Sequence, residues 1–325
     1  MTLTVLFGGQ SNEYAVSLRS AAAVLRAARL PSSAVGITKD GRFLRYTGGI
    51  DSIERDTWQD SAVPISPTEL SGSVVFPLLH GRHGEDGELQ GLLSSLSIPY
   101  IGCRTFGGAV GMDKFTAKAL AEKADVPTLL YALVYKSELS DPNLFSRIEK
   151  NIPYPLFVKP SDGGSSIGAG IARGAAELCL RLHAAAEWSE RILVERYCPA
   201  REIELAVLEE HGRLTVSLPG EIVSNTDFYD YDTKYTNDTA RLCVPANLSD
   251  ETVGRLQEYA RRLFLLFDCR HLARIDFFLS GGQIFFNEIN TMPGFTSISM
   301  YPRLMEHSGI PLSELISRLY HAAFP

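Results

Sequence analysis

Cysteine is sparse in this chain. Five occur in 325 residues (Cys103, Cys179, Cys198, Cys243 and Cys269), far apart and never as CxxC. That spacing offers neither a disulfide framework nor a thiolate metal site, and it suits reduced thiols in a cytosolic protein. The seven histidines are equally scattered, with no HExxH spacing. No apolar run reaches the ~18 residues of a membrane span, and the apolar start lacks the basic flank of a secretory leader. Positive charge is in deficit, with 31 Lys and Arg against 38 Asp and Glu, a net charge of -7. A nucleic-acid-binding surface is therefore not expected as the main function. Internal repeats, low-complexity stretches, GxGxxG and GxxxxGK[ST] are all missing. What remains is ordinary for a cytoplasmic α/β protein: 45% hydrophobic, 21% charged, and long enough for two or three domains.

The most informative stretch is Arg274 to Ser299, RIDFFLSGGQIFFNEINTMPGFTSIS. Phe277, Phe278, Leu279, Ile284, Phe285 and Phe286 form the body of a buried hairpin. Charged groups in a buried strand are costly unless paired or metal-bound, so Arg274, Asp276, Glu288 and Asn290 stand out. Side chains two apart share a strand face, which groups Arg274 with Asp276 and Glu288 with Asn290. Opposing Asp276 to Glu288 requires an odd turn, most simply Gly281-Gly282-Gln283. Two carboxylates and an amide oxygen then make a hard-oxygen site suited to Mg2+. A structural Arg-carboxylate network at a sheet end would use the same residues.

Along the chain, the strand at residues 3–7 runs into Gly8-Gly9-Gln10-Ser11 and a helix over 15–28, the opening of a doubly wound domain. The strand Val74 to Leu78 ends in the polar, glycine-rich run from His80 to Gly91, placed where open α/β sheets bind ligands. Thr105 to Gly111 reads as a linker, and Asp113 as the N-cap of a helix running to Lys123. The strand Leu156 to Lys159 ends on a lysine that wants an anion partner. After it, Ser161 to Gly168 is rich in donors able to cradle phosphate. Strand Ile192 to Val194 runs into Glu195-Arg196-Tyr197, and Glu202 opens an alternating strand. The long polar run from Ser224 to Leu242 has no strand pattern, and loops of that length are usually functional. Together these features describe a nucleoside triphosphate held without a Walker motif.

Seven ordered stretches carry a resemblance covering nearly the whole chain: FGGQSNEYAVSL (7–18), LHGRHGEDGELQG (79–91), MDK (112–114), VKPSDGGSSIG (158–168), FYDYDTKY (228–235), RIDFF (274–278) and NEINTMPGFTSISMYP (287–302). On these the sequence resembles the D-alanine–D-alanine ligase family of the ATP-grasp superfamily. The resemblance implies an α/β fold of three domains. These are an N-terminal Rossmann-like (pre-ATP-grasp) substrate domain over 1–111, a small ATP-grasp domain over 112–198, and a C-terminal ATP-grasp domain over 199–325 with the hairpin and the long loop. It implies that ATP phosphorylates the carboxylate of one D-alanine and that the amine of a second attacks the acyl phosphate. ADP, phosphate and a dipeptide for peptidoglycan then leave. Two Mg2+ ions, for which Mn2+ can substitute, and a homodimer formed through the N-terminal domain are implied as well.

Residue by residue, the resemblance assigns Lys114 and Lys159 to the ATP phosphates, with Lys159 also near adenine. Glu195 would accept from the adenine amine, Tyr197 and Cys198 would line the base, and Glu202 would hold the ribose. Ser165 and Ser166 would close over the transferred phosphate, and Lys234 would reach in from the long loop. Asp276, Glu288 and Asn290 match the metal ligands. Arg274 and the Gly294 N–H would stabilise the oxyanion of the tetrahedral intermediate. Ser299 and Met300 would contact the second substrate, and His80 the first. Tyr235 matches a loop tyrosine that pairs with Ser165, and relatives making D-Ala-D-lactate often have Phe there.

One position departs from the pattern. The family usually carries Glu two residues before its Val-Ser-Leu, where it anchors the first D-alanine's ammonium, and here that position is Ala15. Losing a charged hydrogen bond costs ~1.5–3 kcal/mol of binding. Glu13 is two residues away and off that helix face, so it can substitute only if the helix starts later than residue 15, unless Glu85 compensates. Ala15 makes a sister ligase with altered specificity, pairing D-alanine with D-serine or another acceptor, the alternative reading.

Overall fold

The computed structural model describes residues 1–164, 166–223, 241–296 and 298–324. Ser165, Lys234 and Tyr235, with the rest of segment 224–240, lie outside the described residues.

Three sheets follow one another along the chain. In the first, β1 (Thr2–Gly8), β2 (Ser32–Ile37), β3 (Phe43–Tyr46), β4 (Val63–Pro64) and β5 (Ser73–Pro77) take the order β4-β3-β2-β1-β5. β1 lies parallel to both β2 and β5. Leu3 to Gly8 are all buried, as befits a central strand covered on both faces. α1 (Tyr14–Ala27) follows β1, so it begins one residue earlier than expected. Two shorter helices are α2 (Ile50–Glu54) and α3 (Glu88–Ser95).

Residues 105–111 are not a linker. They form α4 (Thr105–Met112), despite the three glycines of TFGGAVGM. Close packing overrides propensity there: a Cβ on Gly107 would lie 2.7 Å from the Phe267 carbonyl oxygen, and one on Gly108 2.8 Å from that of Glu85. α5 (Lys114–Lys123) follows directly, with Asp113 capping it by accepting from the Thr116 N–H at 2.8 Å.

The second sheet, β6-β9-β7-β8, comprises β6 (Tyr131–Tyr135), β7 (Leu156–Pro160), β8 (Gly170–Ala172) and β9 (Arg191–Arg196), all antiparallel. The third contains β10 (Arg201–Glu210), β11 (Arg213–Val216), β12 (Gly220–Val223), β13 (Arg241–Cys243), β14 (Leu272–Ser280) and β15 (Gln283–Asn290). Its order is β13-β12-β10-β14-β15, with β11 also on β10. The Asp250–Leu266 helix, capped by Ser249, buries Leu256, Ala260, Leu263 and Phe264 against this sheet. The last two helices, Met300–His307 and Leu312–Ala323, join the core of the first sheet, where Tyr301, Leu304, Leu315 and Leu319 meet Val5, Phe7 and Phe76. The two ends of the chain are thereby packed together, and Tyr320 donates to the Met1 carbonyl. Among the described residues no helix is long and apolar enough to cross a membrane.

The hairpin turn differs from expectation. Ser280 pairs with Gln283, so the turn is only Gly281-Gly282, both at positive φ (56° and 79°), as a tight primed turn requires. Asp276 nevertheless stands opposite Glu288, because the register shifts between Asp276 and Phe277. Phe277 pairs with Phe286, and Asn287 is the extra, bulged residue.

Candidate active site

One cavity of about 870 Å³ lies where the three sheets converge. Glu13, His80, Lys114, Lys159, Ser166, Glu195, Tyr197, Cys198, Glu202, Arg274, Asp276, Glu288, Asn290, Gly294, Ser299 and Met300 all line it. Every described residue given a role in the site from the sequence is thus on one surface, while Ala15, the departing position, is not. Ser165, Lys234 and Tyr235 are outside the described residues.

At the hairpin end, Arg274 stands opposite Asn290 as Asp276 stands opposite Glu288. The Arg274 guanidinium donates to both Asp276 oxygens at 2.8 and 2.7 Å and pairs with Glu204 at 2.9 Å. Burial would lower the pKa of Arg274, but the Asp276 and Glu204 carboxylates overcome it and hold the guanidinium firmly charged. Asn290 donates to Asp276 Oδ2 at 3.1 Å. Lys114 lies 3.4 Å from Glu288 and donates to the Gly163 carbonyl at 2.6 Å. Two cations therefore face three carboxylates, Glu204, Asp276 and Glu288. Glu204 was not singled out from the sequence. Its signal was the alternation Glu202-Ile203-Glu204, which puts it on the same strand face as Glu202.

Some residues of the second sheet invert that balance. Glu195 is 2% exposed and lies between two ammoniums, Lys159 at 2.6 Å and Lys118 at 2.9 Å. Burial alone would raise the Glu195 pKa, but Lys118 and Lys159 bring it down to about 2. Lys159 also donates to Asn287 Oδ1 at 3.3 Å, so the bulged residue of the hairpin touches the second sheet. Lys118 was also missed. It sits one helical turn beyond Lys114, a spacing visible in the sequence but shared with countless solvated lysines.

At the N-terminal end the His80 ring is buried and spans two elements. Nδ1 lies 3.0 Å from the Met292 carbonyl oxygen, and so carries the proton. Nε2 then accepts from the Ser20 hydroxyl at 2.9 Å, and Ser20 in turn accepts from the Phe295 N–H at 3.2 Å. Burial lowers the His80 pKa and keeps the ring neutral. Glu85 also lines the cavity and accepts from the Gly81 N–H at 2.6 Å. Burial first, and the nearby Glu13 charge second, push its carboxyl up to about 8.

Glu13 reaches the cavity although α1 begins earlier than expected, not later. It is the N-cap residue, outside the helix, so helical spacing does not govern its direction. The side chain comes so close to Gly81 and Gly164 that a Cβ on them would lie 2.5 and 3.1 Å from its Oε2. Ala15 is exposed and lines a separate hollow with Asn12, Lys39 and Asp56. At the far wall, Ser299 accepts from the Thr296 N–H at 3.1 Å and lies against Gly294.

The donor set Asp276, Glu288 and Asn290 offers only hard oxygens, on facing positions of one rigid hairpin, with a surplus of negative charge. That chemistry fits Mg2+ or Mn2+.

Two family models match this chain: D-ala D-ala ligase N-terminus over residues 2–103, and D-ala D-ala ligase C-terminus over 120–321. The D-alanine–D-alanine ligase of Acetivibrio thermocellus is 40% identical, across 98% of this chain and 94% of that protein. That of Caldicellulosiruptor bescii is also 40% identical, across 99% and 95%. Among solved structures, the VanG D-Ala:D-Ser ligase from Enterococcus faecalis superposes with a TM-score of 0.90 at 33% identity, covering 99% of each chain. The D-alanine–D-alanine ligase from Coxiella burnetii gives 0.87 at 29%, covering 99% of this chain and 93% of that one.

Proposed function

The chain belongs to the D-alanine–D-alanine ligase family, and from that premise we propose how its residues share the reaction. It is an ATP-dependent ligase that joins two D-alanine molecules for peptidoglycan synthesis. In our reading the phosphates of ATP lie against Lys114 and Lys159, under the loop that carries Ser165 and Ser166. The base sits by Glu195, Tyr197 and Cys198, with the ribose at Glu202. Asp276, Glu288 and Asn290 hold two Mg2+ ions. When bound, these neutralise charge on the phosphates. Glu13 and Glu85 receive the ammonium of the first D-alanine beside His80, leaving its carboxylate to take the phosphoryl group. The amine of the second D-alanine, oriented by Ser299 and Met300, attacks the acyl phosphate. Arg274 and the Gly294 N–H stabilise the resulting oxyanion, the kind of contribution worth ~3–4 kcal/mol.

The observation that carries this reading is the cavity's opposed charge: a cationic wall at Lys159, and an anionic one at Asp276, Glu204 and Glu288. Supporting the three-domain division, the three sheets fall within 2–77, 131–196 and 201–290. We place the enzyme in the cytoplasm as a homodimer. ATP and D-alanine should yield ADP, phosphate and the dipeptide; no turnover at millimolar D-alanine would overturn the assignment. The likeness to the VanG D-Ala:D-Ser ligase motivates a second reading, with D-serine as acceptor. Mixed incubations decide between them: D-Ala-D-Ser in clear excess over D-Ala-D-Ala would support it.

A further inference from the structure

Lys118 is wholly buried, among the largest fully enclosed side chains of the protein, and no step above uses it. An enclosed ammonium is rare, because removing it from water is costly unless a partner compensates. Here the compensation is Glu195 Oε2 at 2.9 Å and the Phe286 carbonyl at 3.3 Å. The Glu195 contact is held by charge rather than by a well-aligned hydrogen bond. The other carboxylate oxygen, Oε1, faces Lys159 at 2.6 Å.

The two lysines are not equivalent. Lys159 lines the cavity, alongside Glu195 and Asn287, while Lys118 does not. Only Lys159 can turn towards a ligand. Were it the sole partner of Glu195, that movement would strand a buried carboxylate.

Resting on the reading of this cavity as a nucleotide site, we infer that Lys118 is a positioning residue for base selection, the fixed counter-ion that keeps Glu195 ionised and aimed while Lys159 moves to the phosphates. With Lys159 drawn away, Oε1 is free to accept from the 6-amino group of adenine. A 6-oxo purine presents an acceptor there, and two acceptors repel. Without Lys118, the carboxyl either keeps Lys159 from the phosphates or takes up a proton. A protonated carboxyl donates to a 6-oxo group, so the discrimination fades.

The test uses full-length protein with Mg2+ and saturating D-alanine, comparing ATP with ITP. Wild type should prefer ATP. Lys118→Met should raise KM for ATP at least tenfold, change kcat less than threefold, and cut the ATP-over-ITP ratio of kcat/KM at least tenfold. A role in stability alone would leave that ratio untouched, and an unchanged ratio overturns the inference. Should Lys118→Met fail to fold, the double variant Lys118→Met/Glu195→Gln, which removes the enclosed ammonium together with its counter-ion, is compared with Glu195→Gln. Equal ratios are expected, since Lys118 acts only through Glu195, and a further fall in the double variant overturns the inference. If wild type shows no preference, or Glu195→Gln keeps it, the base-site assignment fails instead.

Discussion

Two carboxylate clusters face each other across the cavity, built from the same residue types with opposite net charge. Around Glu195, two lysines surround one carboxylate. Around Asp276, one arginine and one lysine serve three carboxylates. Neither is a closed salt bridge, and neither is an economical way to stabilise a fold, since apolar residues of similar volume often do as well. The difference lies in what each lacks. The first is short of an anion and the second of a cation, so together they fit a metal-bound polyphosphate better than they fit each other.

Breaking the anionic side should have the largest effect. Glu288→Gln removes the carboxylate opposite Asp276 while keeping shape, and phosphate release at saturating ATP, Mg2+ and D-alanine should fall about 10³-fold. Thermal melting should change little, because Lys114 retains the Gly163 carbonyl. The cationic side is next. Lys159→Met should lower kcat/KM for ATP about 10²-fold, while leaving Glu195 its partner in Lys118.

A smaller effect is expected where the amino acid binds. Glu13→Gln should raise KM for D-alanine about tenfold, the value of one charged hydrogen bond. Ala15→Glu should change it less than about twofold, because residue 15 faces the outer hollow. A large gain in affinity from Ala15→Glu would show that the helix start rearranges around substrate.

The smallest effect concerns pH. Glu85 has a raised pKa in the folded protein, from 4.5 to about 8, so the fold retains a proton that the unfolded chain has lost. Stability from this group is full below pH 4.5 and drains away as pH climbs towards 8. Glu85→Gln removes that slope, so its melting temperature should fall less than that of wild type between pH 5 and 8, by about 6 °C. D-alanine should reverse the effect in wild type, since an ammonium beside Glu85 and Glu13 favours the ionised form, and its binding should release a proton.

Much of this site was legible in the sequence because strand alternation fixes faces. Arg274 with Asp276, and Glu288 with Asn290, followed from spacing alone, as did the cap Asp113. The α4 helix was not legible. Its glycines read as a linker, and only the backbone oxygens of Phe267 and Glu85, distant in sequence, explain why they are helical. Lys118 was hidden for a similar reason, since nothing in MDKFTAK marks one lysine as buried. Glu13 was misjudged because helix spacing was applied to a residue that precedes the helix. For α4 and Lys118 the missing information was tertiary contact.

The bulge at Asn287 has a consequence for how this hairpin tolerates change over descent. A strand pair is a parity device: adding or removing one residue within a paired arm exchanges inside for outside along the rest of that arm unless a bulge absorbs it. Here a two-residue turn of the wrong parity is offset by one unpaired residue just below the carboxylates. The turn at Gly281-Gly282 can therefore gain residues in pairs without moving Asp276 or Glu288. Deleting Asn287 alone would restore a regular ladder, with Phe286 still opposite Phe277 and Glu288 still opposite Asp276, but would take from Lys159 its contact with the hairpin. Length variation among relatives should accordingly gather at the turn, and an odd step within either arm should come with a change at the bulge.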